Sequence, residues 1–219
     1  SCLTAYGSYL PKRHVMNAEL VQFSPSAIPL IEKKTGVCAR YYAAPGEYTS
    51  DLGAKAVSVC LSRARVAPED IDGIILATSS PDRSIPATAT RIQDLVGARN
   101  AFAFDINAVC SGAVYGIHLA EALIASGQHH RVIVVAAEVY SRILNPKDFS
   151  SYPYFGDGAG AILLERAGAA GCGRIVLTIL GADGSGADLI QVPAGGSMQP
   201  HEMMQDPRQQ YFSMDGRAV

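Results

Sequence analysis

The sequence predicts an α/β fold built on a mainly parallel sheet. Three observations carry that expectation. Apolar runs of strand length alternate with segments whose apolar residues recur at helical spacing. Gly, Pro, Ser or Asp residues punctuate the boundaries between them. One run, RVIVVAAEV at 131–139, is almost continuously apolar, as a strand covered on both faces must be. The 219 residues suffice for one large domain with ample core, or one and a half small ones. Apolar residues make up 48% and charged residues 17%, with 21 Gly residues and no Trp, the composition of a compact Gly/Ala-rich chain without low-complexity tracts.

The elements follow in order. TAYGSYLP (4–11) reads as a strand closed by Pro11, and Asn17 as the cap of a short helix. Pro25 and Pro29 break the segment 25–35 before Gly36. SDLGAKAVSVCLSRARV (50–66) has helical periodicity, with Ser50 or Asp51 as its cap. IDGIILATSS (71–80) is a strand, and PATATRIQDLVG (86–97) a Pro-initiated helix stopped by Gly97. AFAFDIN (101–107) is a strand, and CSGAVYGIHLAEALIASG (110–127) a long helix ending at Gly127. After strand 131–139, the GDGAG turn at 156–160 leads into AILLER, and RIVLTILGAD (174–183) opens one more strand. Beyond it the sequence becomes loop-like, and YFSMDGRAV reads as an element cut off in mid phrase, as in a fragment or a split protein.

Several function classes are excluded. The formal charge is -2 and the Lys and Arg residues are scattered, so no positive surface for a nucleic acid backbone is expected. The longest apolar runs are far too short to span a bilayer, and no export signal is visible. The five cysteines at 2, 38, 60, 110 and 172 form no CxxC pair. Neither a disulfide framework nor a metal site is expected, and a reducing cytoplasm is the default location.

Cys110 stands in FDINAVCSG (104–112), where a strand gives way to a helix. The first N–H groups of a helix have no partners within it. A thiolate placed there is stabilised by those groups and by the helix dipole, which turns a sluggish thiol into a nucleophile. Ala108, Gly112 and Ala113 leave room for a substrate arm. The competing reading is a buried inert thiol, since cysteine is among the most buried residue types. No histidine has a claim on the sulfur by spacing. His118 lies about 12 Å along the helix axis from Cys110, and His14, His129, His130 and His201 fall near turns or in polar segments.

Five stretches together carry a family resemblance: GSYLPKRHVMN (7–17), EKKTGVCARYYAAPGE (32–47), ILATSSPDRSIPATATRIQDLVG (75–97), DINAVCSGAVYGIHLAEALIASG (105–127) and YFGDGAGAILLE (154–165). With them the whole chain resembles the first half, and a little more, of a ketoacyl synthase III type condensing enzyme of the thiolase superfamily. The resemblance implies a thiolase-like α/β fold, one half of a duplicated α-β-α-β-α layered architecture with a five-stranded mixed sheet. Residues 1–170 would form the first half, and 171–219 the crossover and the start of the second.

The same resemblance implies acylation of Cys110 by a coenzyme A or acyl-carrier-protein thioester, then decarboxylative condensation with a malonyl-type thioester in fatty-acid or polyketide-type biosynthesis. No permanently bound cofactor is implied. The His and Asn of the condensation step would come from a second half, on the same or another chain. The family's dimeric habit implies a homodimer or heterodimer in which the loop bearing Ile85 lines the partner's acyl pocket. Coenzyme A recognition would fall to the positions of Leu30 and Lys34, where the family carries Trp and Arg. Leu30 provides no ring to stack on adenine, while Lys34 keeps a charge for phosphate. This departure favours a carrier-protein-bound substrate, or a specialised biosynthetic relative using an unusual acyl group. Phe155 is implied to pack beneath the cysteine loop, and Gly156, Asp157 and Gly158 to permit close backbone packing. Phosphate binding by that glycine run is disfavoured because its acid repels phosphate. Two alternatives stay open: acyl transfer to oxygen or nitrogen without condensation, and a non-catalytic subunit stabilising an active homologue.

Overall fold

A computed structural model of the chain describes residues 1–166, 168 and 173–218. It forms two compact units. The first comprises Ser1–Pro11, Ala43–Glu138 and Gly158–Leu180; the second comprises Lys12–Tyr42, Val139–Asp157 and the chain from Gly181 onward.

The first unit is built on a mixed sheet. Its strands are β1 (Cys2–Tyr9), β4 (Gly73–Ala77), β5 (Phe102–Ile106), β6 (Arg131–Val139), β7 (Asp157–Glu165) and β8 (Gly173–Arg174), in the order β5-β4-β6-β7-β1-β8. Strand β4 pairs in parallel with β5 and β6, and Ala77 lies level with both Ile106 and Ala136. The carboxyl ends of β4 and β5 therefore finish level, while β6 runs three residues further, to Val139. Strand β1 pairs antiparallel with β7 and β8.

Helices cover both faces because successive strand residues point to opposite sides. Ile74, Leu76, Ile133 and Val135 join a core with Val57 and Cys60 of helix α2 (Thr49–Ala64) and Ile92 of helix α3 (Thr88–Val96). Ile75, Val132 and Val134 face the other way, onto Ala120 and Ile124 of helix α4 (Gly112–Ala125). The fold is thus the expected α/β arrangement.

Details differ from the sequence reading. The sheet has six strands rather than five, because the two-residue β8 adds to β1 beside Cys2 and Leu3. So short a strand has no periodicity to detect. The strand expected over 174–183 stops at Arg174, and Val176, Leu177 and Ile179 are exposed; β-propensity forms a strand only where an edge is available for pairing. From Asp157 onward the GDGAG run is the start of β7 instead of a turn, held in extended form by pairing of Ala159 with Tyr9 and Gly160 with Ser8. Helix α2 starts at Thr49, ahead of both expected caps, with Tyr48 as N-cap, and Asp51 accepts the Tyr48 N–H at 2.8 Å from the third helical position. The Ser50 N–H goes instead to Asp82 at 3.0 Å.

The cysteine expectation is corrected in one respect. Cys2 is disulfide-bonded, whereas Cys38, Cys60 and Cys110 are free thiols. Cys172 lies outside the described residues. Among the described residues no helix is long and apolar enough to cross a membrane.

The second unit pairs strand β2 (Arg13–Met16) with β3 (Ala39–Tyr42), and β9 (Ile190–Gln191) with β10 (Ser213–Met214). Helix α1 (Ile28–Thr35) occupies the segment that its prolines mark as broken. Pro29 falls in the first turn, where its missing N–H costs nothing. Asn17 lies inside a short 3₁₀ turn rather than capping it, and its amide donates to the Val37 carbonyl at 2.8 Å. Arg40, only 5% exposed, donates to the carbonyls of Val15 (3.3 Å) and Pro153 (2.8 Å) and to the Asn17 side chain. Burial lowers its pKa from the ordinary guanidinium value.

Strand β1 crosses α2 at Gly7, where an added Cβ would stand 2.2 Å from the Ala56 carbonyl oxygen and 2.5 Å from the Cys60 nitrogen. Neither backbone atom can retreat without moving the helix. Gly7→Ala is expected to destabilise the protein by about 3 kcal/mol, read as a lowered denaturation midpoint with an unchanged slope.

Candidate active site

Cys110 is exposed at the carboxyl end of β5, in a 3₁₀ turn (Val109–Ser111) that runs directly into α4. Small residues determine how closely this helix approaches the sheet. Gly112, Gly116, Ala120 and Ile124 form its buried stripe at intervals of one turn. A Cβ on Gly112 would lie 2.9 Å from the Ala77 Cβ, and one on Gly116 would lie 2.7 Å from Val134 Cγ1. The first turn of α4 therefore rests on the last residue of β4, two positions after the thiol.

The turn carrying Cys110 is strained. Val109, a β-branched residue, has φ 45°, in the left-handed region that such residues rarely enter. The Val109 N–H donates to Asn107 Oδ1 at 3.4 Å, and the Ser111 N–H donates to the Ala108 carbonyl at 3.0 Å. The other two free thiols differ. Cys60 is fully buried and burial raises its pKa. Cys38 is exposed, but hydrogen bonding to Glu32 and that carboxylate's charge raise its pKa as well.

Carboxylates fix the surroundings of the strand ends. Asp105, the acid of the DINAVCSG motif, accepts the N–H groups of Thr88 and Ala89, each at 2.7 Å, and so caps α3 from β5. Glu138, at the end of β6, accepts from the Ser79 N–H (2.8 Å), the Ser79 hydroxyl (2.9 Å), the Thr78 hydroxyl (3.3 Å) and the Ser80 hydroxyl. Asp82 accepts the Ser50 N–H, and its own N–H donates to the Thr88 hydroxyl at 3.0 Å. Beyond Asp82 the loop carries Ile85, which is 82% exposed and precedes Pro86 through a cis peptide bond. A cavity of about 480 Å³ lies beside this loop, lined by Tyr48, Arg83, Pro86 and Arg91 among others.

The second unit holds the other residues singled out from the sequence. Leu30 and Lys34 are exposed one turn apart on α1, which places both on the same face. Phe155 stacks on Tyr140 with ring centroids 5.3 Å apart and meets Phe212 edge-on at 5.4 Å. Gly156 lies so close to β3 that a Cβ would stand 3.0 Å from both the Arg40 Cβ and the Tyr41 carbonyl oxygen. Asp157 is 3% exposed and accepts the Ser141 N–H at 2.8 Å and the Ser141 hydroxyl at 2.6 Å. In the first unit, a Cβ on Gly158 would stand 3.1 Å from Leu10 Cδ2. His118 shares a hydrogen bond with the Thr178 hydroxyl. Among the described residues no group of His, Cys, Asp and Glu could hold a metal ion.

Sequence reasoning missed the strain at Val109 and the roles of Asp105 and Glu138. The signal for Glu138 was present: an acid near the end of one buried strand and a Thr-Ser-Ser run directly after another.

A mixed sheet with helices on both faces, and a free cysteine raised at the start of the helix that follows a parallel strand, is a thiolase-like α/β arrangement. Comparison with known proteins makes the assignment more specific. Residues 104–192 match the family model described as 3-oxoacyl-[acyl-carrier-protein (ACP)] synthase III. The beta-ketoacyl-[acyl-carrier-protein] synthase III 3 of Streptomyces coelicolor is 47% identical over the whole of this chain. A crystal structure of a 3-oxoacyl-(acyl-carrier-protein) synthase III superposes with a TM-score of 0.91 at 32% identity, covering 100% of this chain and 68% of that one. The Pseudomonas aeruginosa 3-oxoacyl-(acyl carrier protein) synthase III gives 0.87 at 34% identity, covering 100% and 65%. The chain belongs to the synthase III family of condensing enzymes in the thiolase superfamily. It spans 66% of the length of the Streptomyces relative.

The conformation of Val109 has a measurable cost. Val109→Gly removes steric strain of about 1–3 kcal/mol and adds unfolded-state entropy of about 0.5–1 kcal/mol, so a net stabilisation of about 1 kcal/mol is expected on chemical denaturation. Val109→Ala keeps a Cβ in the same region and is expected not to stabilise.

Proposed function

We propose that the intact protein takes an acyl group from a thioester onto Cys110 and condenses it with a malonyl-type thioester, losing carbon dioxide. Membership of the synthase III family supports this reading. The observation that carries it is the placement of an exposed free thiol at the start of α4, above the carboxyl ends of β4 and β5. A thiol buried in the core, such as Cys60, would be inert.

In the first half-reaction the Cys110 thiolate attacks the thioester carbonyl carbon. The donor's carbon–sulfur bond breaks, and its thiol leaves with a proton. The oxyanion that forms needs N–H donors at fixed positions, and the Cys110 N–H is the nearest candidate. In the second half-reaction, decarboxylation of the malonyl-type thioester yields an enolate whose carbon attacks the acyl-Cys110 carbonyl and expels the thiolate. That step draws on a His and an Asn, which we assign to a second thiolase-like half, on the same or another chain, completing the layered α-β-α-β-α architecture. No permanently bound cofactor enters either step. We further assign Ile85 to the acyl pocket of the partner in a dimer, and the face of α1 bearing Leu30 and Lys34 to the donor's carrier.

Intact mass of the protein after incubation with a panel of acyl thioesters tests the first half-reaction. An acyl increment present in the wild type and absent from Cys110→Ala is expected. An increment that persists in Cys110→Ala, or its absence from the wild type across coenzyme A and carrier-protein donors, overturns the reading. The carrier preference has its own test. Leu30→Trp supplies a stacking surface and is expected to lower KM for coenzyme A thioesters about fivefold, with little change for the same acyl group on a carrier protein.

A further inference from the structure

Glu138 is absent from the chemistry described above, yet its carboxylate accepts four hydrogen bonds. Oε1 takes both the N–H and the hydroxyl of Ser79, and Oε2 takes the hydroxyls of Thr78 and Ser80. The Ser80 N–H donates to the Thr78 hydroxyl at 3.2 Å, and the Ser80 carbonyl accepts the Thr49 hydroxyl at 2.6 Å. A carboxylate with four donors is a strong and directional anchor.

Its place gives that anchor a consequence. The residues it grips begin immediately after Ala77, the residue on which Gly112 of α4 rests. The same strand end thus carries the turn of Cys110 and the root of the loop that leads to Ile85. At the far side of the loop, Asp82 is tied to Ser50 and Thr88, so the tip from Arg83 to Pro86 projects from two fixed points. Moving the root of such a loop by one carbon–carbon bond moves its tip.

We propose that Glu138 is a positioning residue that selects the acyl chain without touching it, by fixing the loop of Ile85 and with it the acyl pocket that this loop lines in the partner. The inference rests on the acyl-transfer reading and on the assignment of Ile85 to an acyl pocket. It concerns geometry, not charge. In Glu138→Gln the amide oxygen still accepts from Ser79, and the NH₂ group donates to the Thr78 and Ser80 hydroxyls, which reverse their roles. In Glu138→Asp the anchor is shorter by one methylene and the loop root must shift or lose its bonds.

The experiment compares wild type, Glu138→Gln and Glu138→Asp as the intact protein. It measures single-turnover acylation of Cys110 by acetyl and hexanoyl thioesters, alkylation of Cys110 by iodoacetamide, and amide hydrogen exchange at residues 78–88. Glu138→Asp is expected to change the acetyl-to-hexanoyl rate ratio about fivefold or more and to speed exchange at Ser79 and Ser80, with alkylation of Cys110 retained. Glu138→Gln is expected to keep the wild-type ratio and protection. An unchanged ratio and unchanged exchange in Glu138→Asp overturn the proposal. So does a loss in Glu138→Gln equal to that in Glu138→Asp, which would assign a role to the charge. Should no thioester acylate the wild type, the acyl-transfer reading fails by itself, and the selection of an acyl chain falls with it. Exchange at 78–88 then reports whether Glu138 fixes the loop.

Discussion

The close approach of helix α4 to the sheet is the constraint on which the placement of Cys110 depends. Gly112 and Gly116 present no side chain to β4 and β6, so the helix axis lies nearer the strands than a Leu or Val stripe would permit. Ala120 and Ile124 complete the seam with progressively larger groups. The seam fixes the depth and the angle of the first turn, and with them the position of the thiol just before it. It also supports the strain at Val109: a left-handed valine costs about 1–3 kcal/mol and persists only because a strand end and a seated helix leave the connecting turn no alternative.

Around that seam the first unit uses carboxylates as clamps. Asp105 caps α3 from β5, Asp82 binds the first turn of α2, and Glu138 collects the exit of β4. Each accepts backbone N–H groups that would otherwise lack partners at a helix start or a strand end, where regular hydrogen bonding stops. Anionic acceptors make these bonds stronger than neutral pairs. The result is that loops at the carboxyl ends of the strands, the part of an α/β sheet where ligands are bound, are tied to fixed elements by charged acceptors.

The second unit solves a different problem. Arg40 is buried and distributes its charge over the carbonyl oxygens of Val15 and Pro153 and the Asn17 side chain. That arrangement ties β2 and β3 to the segment ending in Phe155 and Gly156, where the absence of a glycine side chain lets the backbone pass against β3. Phe155, Tyr140 and Phe212 then close an aromatic core drawn from segments far apart in sequence.

Much of this was legible in the residues. Strands β4, β5 and β6 and helices α2, α3 and α4 announce themselves because apolar periodicity is a local property, dictated by which face of an element must be buried. The junction of strand and helix at Cys110 is local too, and the small residues around it are visible in the chain. What the tertiary structure alone decided depends on pairing between distant residues. Whether GDGAG is a turn or a strand rests on the presence of β1 beside it; whether RIVLTIL pairs rests on an available edge. Asp105 and Glu138 acquire their roles only when the sheet brings their strand ends to the height of Thr88 and Ser79. A hydrogen bond requires its donor and acceptor within about 3 Å, and the sequence does not encode that proximity until the sheet has formed.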